Sequence, residues 1–190
     1  MGFEQLKQDV SVFKMVDEDS LAIVVIYVDD IILATKSSSK VPQQFMDNLG
    51  KRYKIKDCGL LRWYLGMEIK QDKDSIAVNQ RQYTLDILKR FGMEECKPAR
   101  TPMAVAVSIE EKENPDHEMT GIPYMNAVGA LIYLTVLTRP DLAFAVSKVA
   151  QHNQNPTMEA WTAVKRIFRY LKGTLELGLW YGTGSEALVA

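Results

Sequence analysis

The chain has 190 residues, 47% of them hydrophobic, with 23 Lys and Arg against 24 Asp and Glu for a formal net charge of −1. That length allows one domain or two small ones, and the near-neutral charge excludes a globally basic nucleic-acid binder, so any such surface has to come from local patches. The apolar runs are too short to span a bilayer, no signal peptide is recognised, and Leu6 stands at the sixth position where a myristoylation motif needs Ser or Thr.

In chain order, Val12 to Val16 reads as a short strand and Asp17-Glu18-Asp19-Ser20 as a polar turn. Leu21 to Tyr27 and Ile31 to Lys36, rich in Val and Ile, read as two buried strands. Ser37-Ser38-Ser39 breaks the pattern, and Pro42 suits the first turn of a helix running to about Tyr53, with Val41, Phe45, Leu49 and Arg52 near one face. Trp63 to Lys70 reads as a strand, Gln71 to Asp74 as a turn and Ser75 to Asn79 as the return strand. Gln80 to Phe91 is an amphipathic helix, with Tyr83, Leu85, Ile87, Leu88 and Phe91 apolar and Gly92 as its stop. Lys97 to Thr120 reads as a connector, with an acidic cluster at Glu110, Glu111, Glu113, Asp116 and Glu118 that fits a solvated loop. Helices are expected over Tyr124 to Thr135 and Leu142 to His152, separated by Arg139-Pro140-Asp141. A third is expected to be capped by Asn155, to begin at Pro156 and to run to Lys172 before Gly173, its face Ala160, Val164, Ile167 and Leu171 reading as core. Leu177 to Tyr181 reads as a last strand, no internal repeat is visible, and strands followed by helices give an α+β class.

The site chemistry centres on Tyr27-Val28-Asp29-Asp30. The Asp pair alone interrupts two apolar runs, so it is expected at or near a hairpin turn. Ionised carboxylates beside buried apolar surface are costly unless solvated, paired or metal-bound. Two readings stay open on these residues: solvated turn punctuation, or a seat for a hard divalent cation that takes oxygen ligands and bridges phosphates. Cys58, Cys96, His117 and His152 show no metal-type spacing, so zinc is not expected, and two isolated cysteines fit a reducing compartment. Three basic patches are candidates for a phosphate backbone: Lys51, Arg52, Lys54 and Lys56; Arg81, Lys89 and Arg90; and Lys165, Arg166, Arg169 and Lys172, of which Lys165, Arg169 and Lys172 lie near one helical stripe. Tyr53, Trp63 and Tyr64 are aromatic neighbours able to stack or pack nearby.

Nearly the whole chain resembles the reverse transcriptase of copia-type LTR retrotransposon Pol polyproteins. The resemblance is carried by Asp9 to Phe13, Tyr27-Val28-Asp29-Asp30, Leu65-Gly66-Met67-Glu68-Ile69, Ile87-Leu88-Lys89-Arg90-Phe91 and Lys97-Pro98-Ala99-Arg100-Thr101-Pro102-Met103. In the C-terminal third it rests on Val128 to Leu134, Thr138-Arg139-Pro140-Asp141 and Arg166 to Thr174, in family order at family spacing. Ala160 departs from the pattern, where the family often carries His.

The resemblance implies partial polymerase palm hairpins over residues 1–79, a thumb-like helix and acidic connector over 80–120, and a helical connection region over 121–190, stopping before RNase H. It implies Asp29 and Asp30 as catalytic and metal-binding residues, with Mg²⁺ or Mn²⁺ only in the complete polymerase. Tyr27, Val28, Leu65, Gly66, Met67 and Glu68 would meet the primer or template, and Arg81, Lys89, Arg90, Lys165, Arg169 and Lys172 the nucleic-acid backbone. The implied partners are an RNA or DNA primer–template and the remainder of the polyprotein, inside the cell and without a membrane. The family's third carboxylate lies on an earlier palm strand, and nothing before Asp29 fits it, Asp9 being too near. The isolated chain is therefore expected to be inactive, the alternative being a domesticated or relic module that binds nucleic acid or protein without catalysis.

Overall fold

In a computed structural model of the chain, residues 2–17, 20–36, 39–104, 109 and 119–182 are described. The acidic cluster at residues 110–118 with His117, and residues 18, 19, 37 and 38, lie outside them. The chain is α+β. Eight strands form two four-stranded antiparallel sheets, ordered β1-β2-β3-β4 and β5-β6-β7-β8, beside five α-helices among the described residues. The chain divides into two compact units, residues 1–61 and 62–190.

The first unit holds β1 (Glu4–Gln5), β2 (Val12–Asp17), β3 (Ser20–Tyr27), β4 (Asp30–Thr35) and α1 (Val41–Gly50). β-Branched residues crowd β3 and β4 because their stiff side chains pack well on a pleated surface. Registers Phe13↔Val24 and Val24↔Leu33 set those three residues in one row across the sheet. Ala22 and Val24 are buried on that face, whereas Val16, Leu21 and Tyr27 stay exposed on the opposite one, as strand alternation requires. The Ser39 hydroxyl accepts the Val41 N–H (3.1 Å) at the entry to α1, and Phe45 is its buried residue, meeting Phe3 edge-on at 5.7 Å. α1 ends at Gly50 rather than near Tyr53, although the Tyr53 N–H still reaches the Leu49 carbonyl.

The second unit holds β5 (Trp63–Tyr64), β6 (Met67–Gln71), β7 (Ser75–Asn79), α2 (Arg81–Arg90), α3 (Tyr124–Leu137), α4 (Ala143–Ala150), α5 (Met158–Gly173) and β8 (Leu179–Gly182), with a 3-10 turn at Pro140–Leu142. The expected strand from Trp63 to Lys70 is two strands. Leu65 (φ 47°) and Gly66 (φ 75°) turn the chain between Tyr64 and Met67, which pair across a two-residue connection of the primed, left-handed kind.

The core of this unit is helical. Ile87 and Leu88 of α2 pack with Val128, Leu131 and Leu134 of α3, Val149 of α4 and Ile167 and Phe168 of α5. The expected core face of α5 is fully buried at Ala160, Val164, Ile167 and Leu171. Its cap is Thr157, not Asn155: Thr157 is extended (φ −111°, ψ 163°) and its side chain accepts the Ala160 N–H (3.2 Å). Pro156 therefore precedes the cap instead of opening the helix.

Thr138-Arg139-Pro140-Asp141 joins α3 to α4 as a polar clamp, with Thr138 and Arg139 buried and Pro140 and Asp141 at the surface. Arg139 is 2% exposed; its guanidinium forks onto both Asp141 oxygens (3.0 and 2.8 Å) and also donates to the carbonyl (3.1 Å) and hydroxyl (2.8 Å) of Thr174 beyond α5. Tyr170 donates to Asp141 (2.9 Å), and the guanidinium lies 5.5 Å from the centre of its ring. Burial alone would push the Asp141 carboxyl up, but the hydrogen bonds and charge of Arg139, with the Tyr170 hydroxyl, hold it below the ordinary carboxylate value. Thr138 donates to the Gln80 side-chain oxygen (2.8 Å), which ties the start of α2 to the same junction.

Candidate functional site

The Asp pair stands at the tip of an exposed hairpin in the first unit. Tyr27, the last residue of β3, pairs with Asp30, the first of β4, and Val28 and Asp29 make the connection between them. Val28 is left-handed (φ 53°) and 82% exposed, a conformation uncommon for a β-branched residue and uncompensated by burial. Tyr27, Asp29 and Asp30 are also exposed, and neither carboxylate forms a hydrogen bond or ion pair among the described residues. Two adjacent, water-facing carboxylates are a hard-oxygen donor pair suited to Mg²⁺ or Mn²⁺. No group of three or more Asp, Glu, His or Cys able to hold a metal occurs among the described residues. Asp9 adds nothing to this pair, because its carboxylate accepts the Ser11 N–H (2.8 Å) and shapes the turn before β2.

The second candidate segment, Leu65 to Glu68, forms the β5–β6 hairpin of the other unit. Tyr133 of α3 reaches this turn and donates its hydroxyl to the Leu65 carbonyl (2.7 Å). A Cβ on Gly66 would come within 3.2 Å of the same hydroxyl, so the approach uses the absence of a side chain as well as the left-handed φ. Tyr83 of α2 braces the Tyr133 ring edge-on at 4.9 Å, and burial raises the Tyr83 pKa. Glu68 is engaged locally, since its carboxylate accepts the Gln82 N–H (3.1 Å) in the first turn of α2, where Asn79 also accepts the Arg81 N–H (3.2 Å). A carboxylate at a helix N-terminus satisfies an orphan donor and complements the dipole.

The basic side chains divide by engagement. Arg81 pairs with Glu176 (2.7 Å) on the surface. On α5, Arg169 donates to the Lys97 carbonyl (2.7 Å), Lys172 to the Glu94 carbonyl and Arg166 to the Thr101 hydroxyl (2.9 Å), so this stripe binds the chain's own 94–101 segment. Lys89 and Arg90 at the end of α2, with Lys165 on α5, form no hydrogen bond or ion pair among the described residues. The role of Tyr133 escaped the sequence reading, because 68 residues separate it from Leu65.

Comparison with known proteins then adds independent information. Residues 1–105 match the family model described as reverse transcriptase (RNA-dependent DNA polymerase). The chain is 35% identical over 189 residues to the retrovirus-related Pol polyprotein from transposon RE2 of Arabidopsis thaliana, covering 97% of this chain and 12% of that protein. It is 36% identical over 188 residues to the corresponding polyprotein from transposon TNT 1-94 of Nicotiana tabacum, covering 93% of this chain and 14% of that one. It is also 36% identical over 163 residues to an uncharacterised mitochondrial protein of Arabidopsis thaliana, covering 85% of this chain and 65% of that protein. No solved structure matches.

Proposed function

The chain belongs to the reverse transcriptase family of copia-type transposon Pol polyproteins, and on that premise we propose that it carries the catalytic hairpin and the primer-end hairpin of an RNA-directed DNA polymerase. In this reading the first unit is the end of the palm, α2 the thumb helix and α3 to α5 the connection. The observation that carries the reading is the Asp29-Asp30 pair, exposed and without a partner among the described residues at the tip of an antiparallel hairpin.

Joining a primer 3′-hydroxyl to a nucleotide α-phosphate needs that hydroxyl deprotonated and the triphosphate charge held in place. Asp29 and Asp30 would hold the divalent ion, which supplies a lowered hydroxyl pKa and charge neutralisation when bound. Tyr27 and Val28 would line the floor beside the primer or template. Leu65, Gly66, Met67 and Glu68 would meet the primer end, with Glu68 acting through its cap on α2. Lys89, Arg90 and Lys165 are the cations best placed to meet a phosphate backbone, Arg81, Arg169 and Lys172 contributing only by giving up their present partners.

Two carboxylates are one short of the family's set. Among the described residues β4 pairs with β3 alone, and its other edge offers the place for the third: a strand hydrogen-bonded there would lie directly beside Asp30. The 190-residue chain alone is accordingly expected to show no primer extension with Mg²⁺ or Mn²⁺. Incorporation that disappears on Asp29→Asn would overturn that expectation. Joining the chain to the upstream polymerase segments of a relative should give activity that Asp29→Asn abolishes; no activity in the joined protein would count against the catalytic reading. A second reading is a module that binds nucleic acid or protein without catalysis. It requires salt-sensitive binding to a primer–template that survives Asp29→Asn/Asp30→Asn.

A further inference from the structure

Tyr133 spends its hydroxyl outside the helical core. The residue is 37% exposed, on a helix that carries no charged side chain, and its one polar side-chain atom donates to the Leu65 carbonyl (2.7 Å), 68 residues away. Water competes for a hydrogen bond at that exposure, so it contributes little to folding. What it fixes is a position. Leu65 is left-handed (φ 47°), a backbone that leucine does not favour by itself, and Gly66 beside it is exposed.

A closed frame holds the β5–β6 hairpin. Its connection hangs on Tyr133 of α3, and its second strand is tied to α2, where Glu68 accepts the Gln82 N–H (3.1 Å). Tyr83, the next residue of α2, meets the Tyr133 ring edge-on at 4.9 Å and so joins the two attachments. The circuit runs from Leu65 to Tyr133, to Tyr83, to its neighbour Gln82, to Glu68, and back along β6 to the connection. Without the Tyr133 hydroxyl the connection loses its tie to α3, while the Glu68 end stays fastened to α2.

We infer that Tyr133 is a positioning residue for the primer 3′ end: through the Leu65 carbonyl it sets where the backbone of Gly66 and Met67 stands, and so where a primer end resting on that turn is aimed. The inference rests on the reading of Leu65 to Glu68 as the primer-end hairpin. Attack on the nucleotide α-phosphate needs the 3′-hydroxyl in line and within about 3.5 Å, and a misplacement of about 1 Å costs on the order of 100-fold in rate. In the same reading the triphosphate is held at the other hairpin, by Asp29 and Asp30. A shift of the Leu65 turn therefore slows transfer without weakening nucleotide binding.

The test is single-turnover primer extension, by rapid quenching, with the chain joined to the upstream polymerase segments of a relative. In Tyr133→Phe the rate constant for adding the first nucleotide should fall at least about tenfold, while the burst amplitude and the nucleotide dissociation constant stay within about twofold of the parent. A variant that merely folds less well does the reverse: fewer competent molecules give a smaller amplitude at an unchanged rate constant. Gly66→Ala should also slow addition, and by a smaller factor in combination with Tyr133→Phe than alone, because a Cβ there crowds the Tyr133 hydroxyl at 3.2 Å. A Tyr133→Phe rate constant within about twofold of the parent, a loss confined to amplitude, or two effects that simply multiply overturns the inference and leaves the catalytic reading standing. A joined protein that extends no primer, or that extends it regardless of Asp29→Asn, overturns that reading and the inference with it.

Discussion

Val28 and Leu65 are left-handed without being glycine, and each sits in the connection of one of the two candidate hairpins. A side chain in this region costs about 1–2 kcal/mol, which local structure has to offset. For Leu65 the offset is visible: the Tyr133 hydroxyl takes its carbonyl, and Gly66 clears the approach. Tyr133→Phe is therefore expected to lower stability by only about 0.5–1 kcal/mol while loosening the turn, read as faster amide exchange at Gly66 and Met67. Unchanged exchange there would mean that the turn is held by its own backbone. At this scale the Asp pair was legible because it alone interrupts two apolar runs. The assignment of the turn was not, since nothing in Leu-Gly announces a left-handed leucine.

At the level of elements, periodicity located α2 and α5 well, since each buries one stripe and leaves the other face polar. What misled was local competition. Asn155-Pro156 is the stronger written start signal for α5, yet Thr157 has the extended backbone and the hydroxyl that accepts the Ala160 N–H. Two-residue strands such as β1 and β5 are too short to carry a period. The Thr138–Asp141 junction was visible as a motif but not as a clamp, because its partner Thr174 lies 35 residues from Arg139. Removing the guanidinium strands a half-buried carboxylate, so Arg139→Ala should cost about 2–4 kcal/mol in denaturant unfolding. Arg139→Lys should recover only part of that, since one ammonium cannot span Asp141 and Thr174 together. Because the folded Asp141 pKa is lowered, the stabilisation it gives is present above the ordinary value of 3.8 and fades as pH falls through the lower folded value.

Tyr124 sets the opposite limb of the pH profile. Burial pushes its pKa up to about 12, and its hydroxyl donates to the Val149 carbonyl of α4 (2.7 Å). A raised folded pKa means full stabilisation below the ordinary value of 10.0 and progressive loss as pH climbs through about 12. Tyr124→Phe should flatten that alkaline loss. The cost at neutral pH should be small, because Val149 also accepts the His152 N–H. Urea midpoints on either side of pH 10.0 measure both effects.

For the whole molecule, the α+β class was readable from the order of strands and helices. The division at residues 61 and 62 was not, because the stretch around it carries no proline-rich or glycine-rich linker. Nearly all fully buried side chains belong to the second unit: Ala22 is the only residue of the first that reaches 0% exposure among the described residues. Residues 62–190 expressed alone should therefore unfold cooperatively, whereas residues 1–61 alone should not, a sheet and one helix being too small a core. Calorimetry of the two fragments decides this; a cooperative transition in residues 1–61 would show that α1 and the sheet suffice.

The hold of α5 on the 94–101 segment carries an evolutionary consequence. Arg169 and Lys172 grasp main-chain carbonyls, a group that every residue offers. The helix therefore demands a path from that segment and not a spelling. Drift at Glu94 and Lys97 leaves the grip intact, while the cations that do the grasping have little freedom to change.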